Sequence, residues 1–177
     1  MRVVIVYLIQ GKARRYQESL IERVAHLSGE NYLLENPLPQ HVTLRSPFDV
    51  KDLKKLEQVV GDFTAQQKRA SIMIRGFGNF EKKVAFLKPE FPKQARAIQR
   101  SLVTLVKDEL SIPPHEFDLK WRPHATIAYG NTPETFGIIW DYLKLRKPRY
   151  RLDFDNITIL TKPRRYWKIH KVYELQC

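Results

Sequence analysis

A chain of 177 residues with 43% hydrophobic and 28% charged side chains is a globular protein of about one domain, not a disordered or fibrous one. Its single cysteine, Cys177, excludes an internal disulfide and a zinc site built from several thiolates. Thirty-one Lys and Arg against 19 Asp and Glu give a net charge of +12, the balance of a protein that meets a polyanion.

Residues 2–9 are rich in Val and Ile and predict a buried strand. Residues 13–28 place Tyr16, Leu20, Val24 and Leu27 at helical spacing, and Gly29 ends that helix. Asn36-Pro37-Leu38-Pro39 reads as a rigid loop, followed by a short strand at His41-Val42-Thr43-Leu44. Asp49 is the expected cap of a helix with Leu53, Leu56, Val60 and Phe63 on one face. Residues 70–77 and 83–88 read as strands joined by a turn at Gly78-Asn79, and residues 93–110 as the clearest helix. After the loop at Pro113-Pro114, residues 121–129 predict a strand, and Thr132 with Pro133 predicts the start of a helix. Strands near 151–160 and 166–175 close the chain.

No apolar run approaches the ~20 residues of a membrane-spanning helix, and the apolar stretch near the start lacks a cationic leader and a small-residue cleavage site. The expectation is a cytoplasmic monomer with no membrane partner. Residues 144–171 hold ten basic side chains against Asp153 and Asp155, which is 10 − 2 = +8 of the +12. Within them Lys162, Arg164, Arg165 and Lys168 form a candidate RNA-binding patch, by pairing with phosphate and releasing counterions. The alternative for this stretch is a solvated basic face. A membrane surface fits less well, because the charges do not lie on one amphipathic helix.

The element order contains a repeat. His41-Val42-Thr43-Leu44 and His124-Ala125-Thr126-Ile127 share one pattern of His, small apolar, Thr, larger apolar. The expected helix caps Asp49 and Thr132 each lie eight residues beyond the histidine, and strand starts at Val3 and Val84 lie 38 and 40 residues before it. A further strand follows about thirty residues on in each case, near Ser71 and Phe154. Two halves related by a pseudo-twofold axis would bring the two His-x-Thr strands together.

Alternation along a strand puts His41 beside Thr43, and His124 beside Thr126, with their neighbours turned to the core. Two imidazoles and two hydroxyls around one cleft suit a phosphodiester. A neutral imidazole takes a proton from the attacking oxygen, and an imidazolium gives one to the leaving oxygen. The hydroxyls hydrogen-bond the non-bridging oxygens. This chemistry requires no metal and no cofactor.

The paired tetrapeptides, 83 residues apart, resemble the signature of the 2H phosphoesterase superfamily, and most closely its RNA 2′,3′-cyclic phosphodiesterase or 2′-5′ RNA ligase branch. Pro123 before the second motif and the closing strand pair fit as well. The resemblance implies an α+β fold in one bilobal domain, residues 1–177, with pseudo-repeat halves at about 1–80 and 81–177. It implies two lobes of mostly antiparallel sheet with outer helices and an active cleft between them. It also implies opening of 2′,3′-cyclic phosphates on RNA ends or small nucleotides to 2′-phosphates, and in some members making or breaking of 2′-5′ linkages in RNA. The catalytic roles then fall on His41, Thr43, His124 and Thr126. In the family's usual reading the first histidine donates to the leaving oxygen and the second activates water.

Further candidates for substrate contact are Arg45 and Arg122, which share a face with the motif histidines by the period of two. Phe48, Trp121, Tyr129 and Tyr166 could stack on a base, although aromatics near strands are more often core. His26, His115 and His170 have no partner at recognisable spacing and read as surface residues. The sequence lacks a phosphate-binding P-loop, a dinucleotide fingerprint, a serine nucleophile elbow and a zinc-protease helix. The alternatives to an enzyme are an RNA- or nucleotide-binding module of the same fold, and a basic RNA-binding protein of another fold.

Overall fold

The computed structural model describes residues 1–131 and 133–177. The strand β1, Arg2–Leu8, is buried along nearly its whole length, as its run of Val and Ile requires. The helix α1, Gly11–Ser28, buries Ala13, Gln17, Leu20 and Val24 and ends where Gly29 turns left-handed (φ 74) and its N–H bonds the carbonyl of Ala25. A short helix α2, Tyr32–Glu35, leads to β2, His41–Asp49. The chain continues as α3, Leu53–Thr64; β3, Ala70–Phe80; β4, Val84–Glu90; and α4, Lys93–Leu110. Then come α5, Glu116–Leu119; β5, Ala125–Tyr129; and α6, Pro133–Leu143. Three strands end it: β6, Arg149–Phe154; β7, Asn156–Thr161; and β8, Lys168–Glu174. Among the described residues no helix is long and apolar enough to cross a membrane.

Four local expectations need correction. β2 runs on to Asp49, which pairs with Arg2, and the cap of α3 is Asp52, whose carboxylate accepts from the Lys55 N–H at 3.0 Å. The β3–β4 turn lies at Glu81 and Lys82, both left-handed, while Gly78 and Asn79 stay within β3. β5 starts only at Ala125, because Pro123 has no N–H for the ladder. Residues 151–160 form two strands broken at Asp155. Thr132, the expected helix cap, lies outside the described residues.

Two antiparallel sheets result, in the orders β2-β1-β7-β8 and β5-β4-β3-β6. They do not coincide with the two halves of the chain. β3 comes from the first half but lies in the sheet of β4 and β5, and β7 comes from the second half but lies beside β1. The chain crosses between sheets through α3 and again at Asp155. One hydrophobic core serves both sheets, with Val3 and Ile5 of one and Ile72, Ile74 and Leu87 of the other. Tyr7 spans the junction: its ring meets Phe154 edge-on at 5.3 Å, and its hydroxyl donates to the carbonyl of Asp153 at 2.9 Å.

Each motif strand carries a bulge at the same place. Along β1–β2 the pairing steps from Val6–Thr43 to Ile5–Arg45, so Leu44 is the extra residue. Along β4–β5 it steps from Phe86–Thr126 to Ala85–Ala128, so Ile127 is the extra residue. Both are the last residue of their tetrapeptide. A bulge reverses the side-chain alternation beyond it. Arg45, expected on the face of His41, is therefore turned inward and only 1% exposed. Its guanidinium donates to the Asp118 carboxylate and, at 2.7 Å, to the carbonyl of Pro113. Asp118 also accepts from the N–H groups of Ser46 and His115, at 2.6 and 2.8 Å. This buried pair ties the loop before β5 to β2, and Arg45 is structural.

Removing one partner of such a pair leaves a buried charge uncompensated. Asp118→Ala is expected to cost about 3–5 kcal/mol in a denaturant titration. Replacing both partners, as Arg45→Met with Asp118→Leu, is expected to recover much of that loss.

Candidate functional site

The two motif histidines are held in the same way. The loop of Pro37 to Pro39 delivers His41 to the first position of β2, where its Nδ1 lies 2.6 Å from the carbonyl of Pro39. His124 immediately precedes β5, and its Nδ1 lies 2.8 Å from the carbonyl of Arg122. In each case the acceptor is the carbonyl two residues earlier. A carbonyl only accepts, so Nδ1 carries the hydrogen, and Nε2 is the nitrogen left to exchange a proton.

Burial holds both imidazoles below their ordinary value of 6.5, since it penalises the charged ring. The carbonyl bond works in the opposite direction on each. His41 is lowered further by the charge of His124. His124 is lowered further by Arg122. Thr43 and Thr126 stand two residues beyond the histidines, half-buried on the same face, ahead of the bulges.

The surroundings of the two rings differ. His124 packs edge-on against Phe80 at 4.9 Å and beside Phe86 at 5.5 Å, and the two phenyl rings lie 4.5 Å apart. The Arg122 guanidinium sits 4.4 Å over the same Phe80 ring that His124 meets. Gly78 makes room for the shelf, because a Cβ there would come within 2.5 Å of the Phe86 ring. On the other side Thr43 is paired with Val6 and His41 with Leu8. These join Val4 and Leu160 in an aliphatic cluster covered by Leu38 and Trp167.

Buried glutamines brace the bulges. Gln17 of α1 donates to the carbonyl of Thr126 at 3.0 Å. Gln99 of α4 donates to the carbonyls of Leu44 and Asp118, at 3.0 and 3.1 Å. Each helix thus supports the motif strand of the other half. The sequence carries a signal for this outside the two tetrapeptides: residues 17–24 and 99–106 both read Gln-x-Ser-Leu-Ile/Val-x-x-Val, 82 residues apart.

Other candidates fall elsewhere. Trp121 does not present its face to a base; it packs on Phe91 at 5.0 Å, and its indole N–H donates to the carbonyl of Thr43 at 2.7 Å. Phe48 is core, 5% exposed. Tyr129 is exposed and paired with Tyr32 at 5.2 Å. Arg164, Arg165, Tyr166 and Lys168 line a shallow depression at the β7–β8 hairpin, and Lys162 lies 5.9 Å from the Trp167 ring. Of the remaining histidines, His115 caps α5, and His170 lies 2.8 Å from the Glu57 carboxylate. Among the described residues no group of His, Cys, Asp or Glu is arranged to hold a metal ion.

Two outcomes are expected. Proton NMR should show both imidazoles titrating below 6.5, and His124→Ala should raise the value of His41 by removing a neighbouring charge. In that window the unfolded chain binds more protons than the folded one, so these groups make stability rise with pH up to about 6.5. Gln17→Leu should orphan the Thr126 carbonyl at a cost of about 1–3 kcal/mol, with the largest amide shifts at Thr126 and Ile127. Unmoved shifts there would show that the brace does not hold the bulge.

Comparison with known proteins agrees with this architecture. The sequence pattern of the 2′-5′ RNA ligase superfamily matches residues 16–165. A Bacillus pumilus (strain SAFR-032) protein, named provisionally as a phosphoesterase, is 30% identical over 135 residues, 73% of each chain. Among solved structures, TT0787 of Thermus thermophilus superimposes with a TM-score of 0.68 at 18% identity, over 99% of this chain and 98% of that one. E. coli LigT in its apo form does so with 0.61 at 14% identity, over the same shares, and LigT has also been crystallised with 3′-AMP. Matched over most of its length, and with two sheets arranged as in these structures, the chain belongs to the 2′-5′ RNA ligase superfamily, among the 2H phosphoesterases that its paired motifs resemble.

Proposed function

We propose that the protein is a phosphoesterase that opens 2′,3′-cyclic phosphates, on RNA ends or small nucleotides, to 2′-phosphates. The observation that carries this reading is the matched pair of imidazoles. Each has Nδ1 tied to a main-chain carbonyl and Nε2 free to exchange a proton, and the two are coupled by charge. A binding module has no need of two such groups. The complex of LigT with 3′-AMP supports a nucleotide as the ligand class.

In the hydrolytic direction His124 takes a proton from water as its oxygen attacks phosphorus. The bond from phosphorus to O3′ breaks, and His41 gives its proton to that oxygen. The product carries a 2′-phosphate and a 3′-hydroxyl, and the proton left on His124 passes to solvent, while His41 is reprotonated from it. Thr43 and Thr126 donate to the non-bridging oxygens, where charge is redistributed in the transition state. Arg122, on the Phe80 ring, is the nearest candidate for a cationic donor to the phosphate. With the 5′-hydroxyl of a second RNA strand as nucleophile in place of water, the same groups would form a 2′-5′ phosphodiester as the bond from phosphorus to O3′ breaks. Lys162, Arg164, Arg165 and Lys168 at the hairpin, with Tyr166 beside them, are assigned to RNA beyond the reacting nucleotide.

One imidazole must be neutral and the other charged, so kcat/KM is expected to be bell-shaped in pH. With both values lowered in the free protein, its maximum should lie on the acid side of 6.5. The deciding assay is turnover of a short RNA bearing a 2′,3′-cyclic phosphate, in EDTA, with the product identified. His41→Ala and His124→Ala should each lower turnover by about 10²–10⁴-fold, and the double variant should lose little more than the worse single one. Tight binding without product would make the protein a binding module. Near-full activity in His41→Ala would end the two-histidine mechanism.

A further inference from the structure

The open face of the second sheet is strongly basic, and its register makes it continuous with the histidine cleft. Thr126 of β5 is paired with Phe86 of β4, and Phe86 with Gly78 of β3. Along β4, Lys88 and Glu90 follow Phe86 on the same face, exposed, while Leu87 and Pro89 turn to the core. Glu90 is paired with Met73, Met73 with Arg151 and Arg75 with Arg149. One solvent-facing surface therefore runs from the motif threonine to Arg149 and Arg151 at the far edge. Three strand spacings of ~4.8 Å make that about 14 Å across the sheet, and the offset along β3 from Gly78 to Arg75 and Met73 lengthens it, beyond the reach of a single nucleotide held between the histidines.

The charges on this face are only partly neutralised internally. Arg75 lies 3.7 Å from Glu90, but among the described residues neither Arg149 nor Arg151 forms an ion pair. Asp153 is the one other acid on the face, at the end remote from Arg149. Arg151 is oriented by its Nε, which donates to the hydroxyl of Ser71 at 3.0 Å, so its terminal nitrogens remain available. The surface is concave here: Ser71, Met73, Arg149 and Arg151 line a shallow depression. Arg149 and Arg151, two residues apart, stand about 6.6 Å apart along the strand, a step comparable with that between successive phosphates of an extended single strand.

We propose that this face, through Lys88, Arg75, Arg149 and Arg151, holds the sugar–phosphate backbone of the RNA strand whose cyclic end lies between the histidines. The proposal rests on the phosphoesterase reading for the position of that end. It names the substrate class as an oligonucleotide rather than a small cyclic nucleotide. A sheet face of separate cations fits a flexible chain of phosphates better than a bilayer surface.

The test uses the full chain and the double variant Arg149→Ala/Arg151→Ala. Turnover is measured on a 2′,3′-cyclic mononucleotide and on a single-stranded RNA of about eight nucleotides with the same end, a length within the ordinary range of single-strand sites. Binding of the 2′-phosphate-ended RNA is measured in parallel by anisotropy at several salt concentrations. The expected result is unchanged mononucleotide turnover, a fall of about tenfold or more in kcat/KM for the RNA at low salt, and a binding slope in log salt shallower by about 1.4 for the two lost contacts. The hairpin variant Lys162→Ala/Arg164→Ala/Arg165→Ala/Lys168→Ala, run beside it, shows whether the loss is particular to the sheet face. The proposal is overturned if RNA kinetics and salt slope are those of the wild type, or if mononucleotide turnover falls equally. It is also overturned if polyglutamate displaces the RNA as effectively as competing RNA does. If the wild-type protein turns over neither substrate, the phosphoesterase reading fails, and the anisotropy series alone still decides whether the face binds RNA.

Discussion

One extra residue in each motif strand governs the arrangement of the site. Leu44 and Ile127 are inserted opposite β1 and β4 immediately after the threonines. Up to that point the alternation of a strand sets histidine and threonine on the open face. Past it the same backbone turns side chains inward, so Arg45 enters the core and Ala128 follows it. A bulge interrupts the ladder and leaves main-chain groups to be satisfied from elsewhere. Gln17, Gln99 and Trp121 do this from the helices and the loop before β5. The threonines are thus fixed by hydrogen bonds to their own backbone carbonyls.

The two imidazoles are held in place at an electrostatic cost. Burial favours the neutral form of both rings, with His124 adding to the effect on His41 and Arg122 to that on His124. A phosphate anion beside either ring would reverse that balance by favouring the protonated form. The lobes are nonetheless unequal. Arg122 and the shelf of Phe80 and Phe86 stand behind His124, whereas the His41 side rests on Val6, Leu8 and Leu160. Two nearly identical tetrapeptides therefore stand in different fields.

Much of this is legible in the sequence, because the repeat is written in short-range patterns. His-x-Thr sits on period-two segments, and α1 and α4 show the period of a helix. The brace is legible too, since Gln17 and Gln99 open matching stretches. What escapes are features set by pairing partners. Nothing in the run of Leu44 and Arg45 marks a bulge, and period-two counting carries Arg45 to the wrong face. Phe154, Asp155 and Asn156 read as one strand, although the chain changes sheets at Asp155. Gly78 looks like a turn residue, while its purpose is to admit the Phe86 ring. Trp121 and Phe48 are aromatic beside a cleft, and only tertiary packing shows that both face away from it.

The exchanged third strands bear on how the cleft can move. Each sheet has its first two strands from one half of the chain and its third from the other, which is the connectivity of a domain-swapped pair fused into one polypeptide at the β3–β4 turn. Such lobes are laced together. Swinging them apart would require stripping β7 from β1 or β3 from β4, and with them the shared core around Tyr7. A hinge opening of the kind used by two-domain binding proteins is closed to this fold. The separation of the two motif strands is therefore set by the exchanged strands and the shared core.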